Sequence, residues 1–383
     1  MEDTQPLTVS DIPLPTLPAG GRFRAPFEDC QISATNDVEA VTAWLRERAR
    51  RSTSTYANYR KEVERLMLWA ASRNQALSDL ASDDMVDFDL FLANPSPRDK
   101  WIGPRKPRPD PAWRPFVGPL SRASREQAFN VLRSLYAYLH TKGYLRRNPF
   151  GGSSIGREKQ NTDEAREMRA RDRYLSRDAW EFLLAYVEAL PREDTRARQH
   201  AARIRWILNL LYETGARRGE IAAGSMSDLH RDEKDRRWLR LIGKGAKPRD
   251  VPVSDDLFDE LMRYRLEMKL PAIPTKDEET PLVLSIAGRS RITDKMILRI
   301  VKEICLKASE ALKATDPERA ARLEKASVHW IRHTQATHRA NDGVDIKILQ
   351  EHLGHADIST TMIYRHIDRG QLHDAITRKK HGK

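Results

Sequence analysis

The stretch Arg237-Trp238-Leu239-Arg240-Leu241-Ile242-Gly243-Lys244-Gly245-Ala246-Lys247-Pro248-Arg249-Asp250-Val251-Pro252-Val253 decides the fold. Leu239 and Leu241 alternate on the way out, and Val251 and Val253 alternate on the return. A Gly-Lys-Gly turn lies between them, so the stretch reads as a β-hairpin. Glycines on both sides of Lys244 allow a tight turn and leave that side chain free to reach outward. Nearly every other patterned segment has helical periodicity. The expected class is therefore mainly α, multi-helical, with a small β-sheet or hairpin in the second half of the chain. Around the hairpin, a helix capped by Ser176 runs through Leu190, and a strongly apolar helix spans about 200–213. Further helices fit 254–269, 293–312, 326–342 and 345–353.

Three more stretches of this half carry reactive side chains. Thr214-Gly215-Ala216-Arg217-Arg218-Gly219-Glu220-Ile221 follows the apolar helix, and Arg217 falls at the edge of the next one. An Arg beside a Glu is ordinarily a surface pair, so this stretch says little by itself. In His329-Trp330-Ile331-Arg332-His333-Thr334, the i, i+3 spacing sets His329 and Arg332 on one helix face. No Cys or Glu completes a metal-ligand set there, and a His with an Arg suits an anionic oxygen better. In Leu353-Gly354-His355-Ala356-Asp357, Gly354 ends a helix, and Tyr364 follows in the next one. A lone Tyr in a helix is core in most proteins.

Together the stretches are far more specific than any one of them. Two arginines can fork onto the non-bridging oxygens of a phosphodiester, as Lys cannot. They would offset the extra charge of a pentavalent transition state. A tyrosine hydroxyl is a competent nucleophile once a base takes its proton, and a Lys or His can return a proton to a leaving 5′ oxygen. Such chemistry needs neither metal nor nucleotide cofactor.

Toward the N-terminus lies a second helical unit, 37–150. Val38, Val41, Trp44 and Leu45 recur at helical spacing, as do Tyr56, Tyr59, Val63, Leu66 and Trp69, with Ser54 or Thr55 as a cap. A shorter helix fits 83–93 and a longer one 121–142, the latter ended by Gly143. Between them 95–119 is rich in proline and basic residues, and reads as a long loop or insertion. Its Trp101 and Trp113, with Arg98, Lys100, Arg105, Lys106 and Arg108, suit contact with DNA or a partner; a mobile surface loop is the equal alternative. Residues 1–36 form an acidic, proline-containing tail expected to be flexible, 151–172 a linker, and 371–383 a basic C-terminal tail.

Composition narrows the partners. The 383 residues carry 67 Lys plus Arg against 55 Asp plus Glu, a net charge of +12, which points to a polyanion. The excess is uneven. Residues 1–40 hold two basic and seven acidic side chains, 41–172 hold 25 and 16, and 173–383 hold 40 and 32. Both folded halves are thus basic, as expected if both touch one polyanion. With 39% hydrophobic residues the chain can build real cores. Cys30 and Cys305 lie too far apart in sequence to suggest a disulfide framework, so a reducing, cytoplasmic setting is expected. No apolar run approaches a membrane span, and no signal peptide is expected.

The motif set resembles the tyrosine recombinase (phage integrase) family, whose members carry Thr-Gly-x-Arg-x-x-Glu, a hairpin lysine, His-x-x-Arg, Leu-Gly-His and a downstream tyrosine in this order. The resemblance covers roughly 173–370 as a catalytic domain, and 37–150 looks like the family's SAM-like core-binding domain. It implies a two-domain clamp on duplex DNA, and strand exchange without metal, cofactor or ATP. Arg217 and Arg332 would clamp the scissile phosphate, and Lys244 would protonate the leaving 5′ hydroxyl. His329 would assist proton transfer, as a base toward the nucleophile. His355 would hydrogen-bond the phosphate, and Tyr364 would attack to give a 3′-phosphotyrosyl bond. Glu220 would orient the site, and His333 would be a packing or supporting group. The resemblance further implies a homo-oligomer on DNA, four protomers in a synapse, and accessory DNA-bending or directionality factors in a bacterial nucleoid. Departures are Trp330 at a commonly polar position, Lys247 as a rival to Lys244, the long 95–119 segment, and no visible arm-binding domain. A type IB topoisomerase-like nick-and-reseal enzyme and a non-catalytic DNA-binding competitor are the alternatives.

Overall fold

The structure is a computed structural model that describes residues 17–18, 20–50, 53–152, 173–243, 247–287 and 290–354. The chain divides into two compact units, 1–160 and 161–383. It is mainly helical, with one small antiparallel sheet among the described residues.

The first unit is built on helices α1 (Asp37–Ala49), α2 (Thr53–Ser72), α3 (Ser82–Ala93), the single turn α4 (Arg98–Trp101) and α5 (Arg122–Thr141). The Asn36 side chain caps α1 and Ser121 caps α5, each accepting from a backbone N–H in the first turn. The apolar faces meet in one core around Trp44, Leu66, Phe88, Phe129, Leu132 and Tyr136. A carboxylate lies inside it: Asp37 accepts from the Tyr144 hydroxyl at 2.8 Å and from the Ser78 amide at 3.0 Å.

Three expectations for this unit need correction. Helix α2 begins at Thr53, ahead of the Ser54 or Thr55 cap. The end of the acidic tail is not loose. Phe23 donates its amide to Ser78 O, Arg146 donates to Phe23 O, and Arg24 bridges Leu145, so these tail residues are paired to the helical unit. Nor is 95–119 a mobile loop. Trp101 and Phe116 are buried, and Ile102 pairs with Phe116. Arg65 donates Nε and Nη2 to Pro115 O, and Arg108 lies 3.8 Å from the Trp113 ring centre. Burial of Trp101 removes it as a DNA contact: its indole area is spent on the core.

The second unit contains α6 (Arg177–Glu188), α7 (Thr195–Thr214), α8 (Arg218–Ala223), α9 (Asp255–Glu267), α10 (Asp294–Leu312), α11 (Pro317–Lys325), α12 (Val328–Asn341) and α13 (Ile346–Leu353). Strands β1 (Leu229–Arg231), β2 (Arg237–Ile242) and β3 (Pro248–Pro252) form the sheet in that order. The β2–β3 hairpin pairs Leu239 with Val251 and Leu241 with Arg249. Since partners share a face, Arg249 points to the same side as the buried leucines. Ser176 caps α6 as the sequence suggests, and the structure adds Ser254 and Thr293 as the caps of α9 and α10.

Strand β1, helix α11 and the first turn of α7 lie outside the elements expected from the sequence. Strand β1 has three residues and little alternation. Helix α11 is mostly polar, but Asp316 caps it and Pro317 occupies its first position. The start of α7, Thr195–Gln199, is polar, and the Asp194 cap rather than apolar periodicity sets it.

Candidate active site

Helix α7 ends at Gly215, which adopts a left-handed conformation with φ +57°. A side chain there is excluded, since a Cβ would come within 2.8 Å of Leu353. The turn delivers Arg217 to the N-cap of α8, where Glu220 accepts from the Arg217 amide at 2.8 Å and from Nη1 at 3.0 Å. Arg217 remains 42% exposed, while the Glu220 side chain is buried.

Arg332 comes from the buried face of α12 and is itself buried. Its Nη1 donates to Gly215 O and its Nη2 to Leu353 O at 2.5 Å. Both carbonyls stand at helix C-termini, where the helix dipole favours a cation. His329, one turn earlier on α12, opens onto the same cleft of about 420 Å³, together with Ala216, Arg217 and Arg332. Burial, followed by the charges of Arg332, Arg173 and Arg217, pushes the His329 pKa down and favours the neutral ring. His333 packs edge-on to it, with ring centres 4.5 Å apart.

The structure therefore brings together Arg217, His329, Arg332, Glu220 and His333. Lys244, His355 and Tyr364 lie outside the described residues, as do most of the 151–172 linker and the 371–383 tail. Lys247, the rival lysine, is exposed, and its carbonyl accepts from the Gly243 amide across the base of the turn.

Three members of this site do not stand out in the sequence. Arg249 forks onto Glu220, with Nη1 to Oε1 at 2.9 Å and Nη2 to Oε2 at 2.8 Å. Its one signal is an Arg on the inward register of a strand, two residues before Val251. Gln335 lies 3.0 Å from His352 across Nε2 atoms, and burial pushes the His352 pKa down to about 4, so the ring is neutral and accepts from the amide. Gln335 and His352 show no pattern in sequence beyond helical spacing.

Glu220 keeps its carboxylate form despite burial. Burial alone raises its pKa, but the Arg249 fork, the Arg217 amide and the Arg217 side chain bring it below the ordinary value. The cleft is thus lined by guanidinium groups fixed in place by one carboxylate and two carbonyls. Such an arrangement suits a singly charged anion with several oxygens. Among the described residues, no helix is long and apolar enough to cross a membrane.

Comparison with known proteins agrees with this chemistry. Residues 173–371 match the phage integrase family. The XerC tyrosine recombinase of Thermodesulfovibrio yellowstonii is 32% identical over 254 residues, covering 66% of this chain and 74% of that protein. The XerD tyrosine recombinase of Rhizobium meliloti is 24% identical over 340 residues, covering 88% of this chain and 93% of that one. The fold is similar to that of the XerH site-specific recombinase bound to its difH substrate, with a TM-score of 0.57 at 18% identity over 88% of this chain and 83% of that one. The chain belongs to the phage integrase family, and is a tyrosine recombinase, an enzyme that transfers DNA strands.

Proposed function

We propose that this recombinase cuts and rejoins duplex DNA through Tyr364. The Tyr364 oxygen attacks the scissile phosphorus and gives its proton to a base, for which His329 is placed in the sequence motif. A 3′-phosphotyrosyl bond forms as the bond to the 5′ oxygen breaks, and Lys244 protonates that leaving oxygen. Arg217 and Arg332 hold the non-bridging oxygens and offset the charge that builds on them, and His355 donates a further hydrogen bond. Attack by a 5′ hydroxyl on the phosphotyrosyl bond reverses the step on a new strand. The bond energy stays in the tyrosyl link throughout.

The observation that carries this reading is the convergence of Arg217, His329 and Arg332 on one cleft. A lowered His329 pKa supports its part, because a neutral ring can accept a proton at pH 7.

In the same reading, 37–150 is the core-binding domain and 173–370 the catalytic domain, both on duplex DNA, with affinity that falls as salt rises. Protomers assemble as a tetrameric synapse on two sites, with accessory DNA-bending or directionality factors, in the nucleoid of the bacterial cytoplasm. A nicked suicide substrate tests the chemistry. Wild-type protein should become covalently attached to the DNA, and Tyr364→Phe should not. An attachment that survives Tyr364→Phe, or none in the wild type, overturns the reading. Two-site substrates then separate recombinant joints from relaxation alone, the product expected of a topoisomerase-like enzyme.

A further inference from the structure

We propose that Arg249 is a positioning residue that sets both phosphate-binding arginines at once; this rests on the function proposed above. It does not meet the reacting atoms. It acts through the groups it holds.

The hairpin register turns Arg249 inward, opposite Leu241. From there its fork reaches Glu220, and Oε1 of that carboxylate receives Arg249 Nη1 at 2.9 Å and Arg217 Nη1 at 3.0 Å. The orientation of the Glu220 carboxylate, and hence of Arg217, depends on the planar fork of Arg249. A further attachment runs to the end of α13. Arg249 Nε donates to His352 O at 3.1 Å, and the next carbonyl, Leu353 O, takes Arg332 Nη2 at 2.5 Å. One guanidinium therefore holds the carboxylate that orients Arg217 and the helix end that orients Arg332.

One glycine leaves room for this arrangement. Gly354 has φ +64°, and a Cβ there would meet Arg249 Cδ at 2.9 Å. A lysine at 249 would restore the charge but not the fork, because an ammonium is a point donor that cannot span both carboxylate oxygens and a carbonyl in one plane.

The test compares two scissile groups. A methylphosphonate at the cleavage position has lost the negative charge that the arginines address, so the rate on it should depend little on how they are aimed. Arg249→Gln should slow covalent-product formation by about 30-fold or more on the ordinary phosphodiester, and by less than about 3-fold on the methylphosphonate. DNA affinity should stay within about 2-fold, since Arg249 is turned away from solvent. Arg249→Lys should fold even if Arg249→Gln does not, and should show the same selective loss in smaller measure. Equal losses on both substrates, or no loss on either, overturn the role of Arg249 alone. Absence of any covalent product from the wild-type protein overturns the reaction, and the proposal with it.

Discussion

Two buried networks, one in each unit, hold charge in different ways. In the first unit, the buried Glu62 and Asp84 pair with Arg65 and Arg73, but the buried Asp37 carboxylate has neutral partners: the Tyr144 hydroxyl and the amide and hydroxyl of Ser78. Those bonds tie α1, the segment before α3 and the chain after α5 into one core. In the second, the network at the cleft is built on guanidiniums around one buried carboxylate, Glu220. Arg332 is held by two helix-end carbonyls, and Arg249 and Arg217 share Glu220. A carboxylate satisfied by neutral donors contributes cohesion. Cations fixed around a cleft, with fewer carboxylates than guanidiniums, contribute a standing affinity for an anion. The same physical device, an ion held by hydrogen bonds, joins the core at Asp37 and aims cations at the cleft.

Substitutions can break that contrast. The largest effect is expected at Arg332. If Arg332 is the phosphate donor proposed above, Arg332→Ala should lower the rate of covalent-complex formation by about 10³-fold, read in single turnover on a suicide substrate. A loss below about 10-fold would mean that Arg332 only joins helix ends.

Acidification should weaken the second unit more than the first. His352 has its pKa pushed down to about 4, so the unfolded chain binds a proton there before the folded one does. Its contribution is complete above pH 6.5 and is lost as pH falls from 6.5 towards 4, about 3 kcal/mol in all. His338 and His329 are lowered too and act in the same direction. The first unit has one histidine, His140, and it is exposed. Amide exchange between pH 7 and 4.5 should show protection lost first in 173–354; equal loss in both units would contradict the assignment.

Asp37→Ala leaves the Tyr144 hydroxyl and the Ser78 amide without their acceptor inside a core. It should destabilise the first unit by about 2 kcal/mol in denaturant titration while leaving cleavage per folded molecule unchanged. A change in cleavage rate of more than a few-fold would tie this network to the chemistry. The smallest effect is expected from Tyr136→Phe, which strips one buried hydrogen bond to Leu77 O and should cost about 1 kcal/mol in the same titration.

Much of the second unit was legible in its residues. Ser176 is a strong local cap, and the alternation of Leu239, Leu241, Val251 and Val253 admits little besides a hairpin. Arg217 and His329–Arg332 were legible because each lies in a short motif with helical or turn spacing. Arg249 was not, because its meaning lies in a strand register and in a carboxylate 29 residues away. Arg332 was legible as a candidate, but the two carbonyls that aim it come from distant helix ends and leave no mark in sequence. Trp101 misled for a related reason. Prolines and basic residues surround it, and only long-range packing against Phe91 and Phe116 turns it inward. The tail before Asp37 misled similarly, since its pairing with Ser78 and Leu145 is backbone hydrogen bonding that composition does not reveal.

The central claim is that the guanidinium cleft presents a DNA phosphate to Tyr364. Proteolysis and mass spectrometry of the protein trapped on a suicide substrate test it most directly. Wild-type protein should give a single nucleotide-bearing peptide, modified at Tyr364 through a 3′ phosphate, and Arg217→Ala and Arg332→Ala should give none in the same time. A nucleotide on any other residue, or undiminished attachment in those variants, would contradict it.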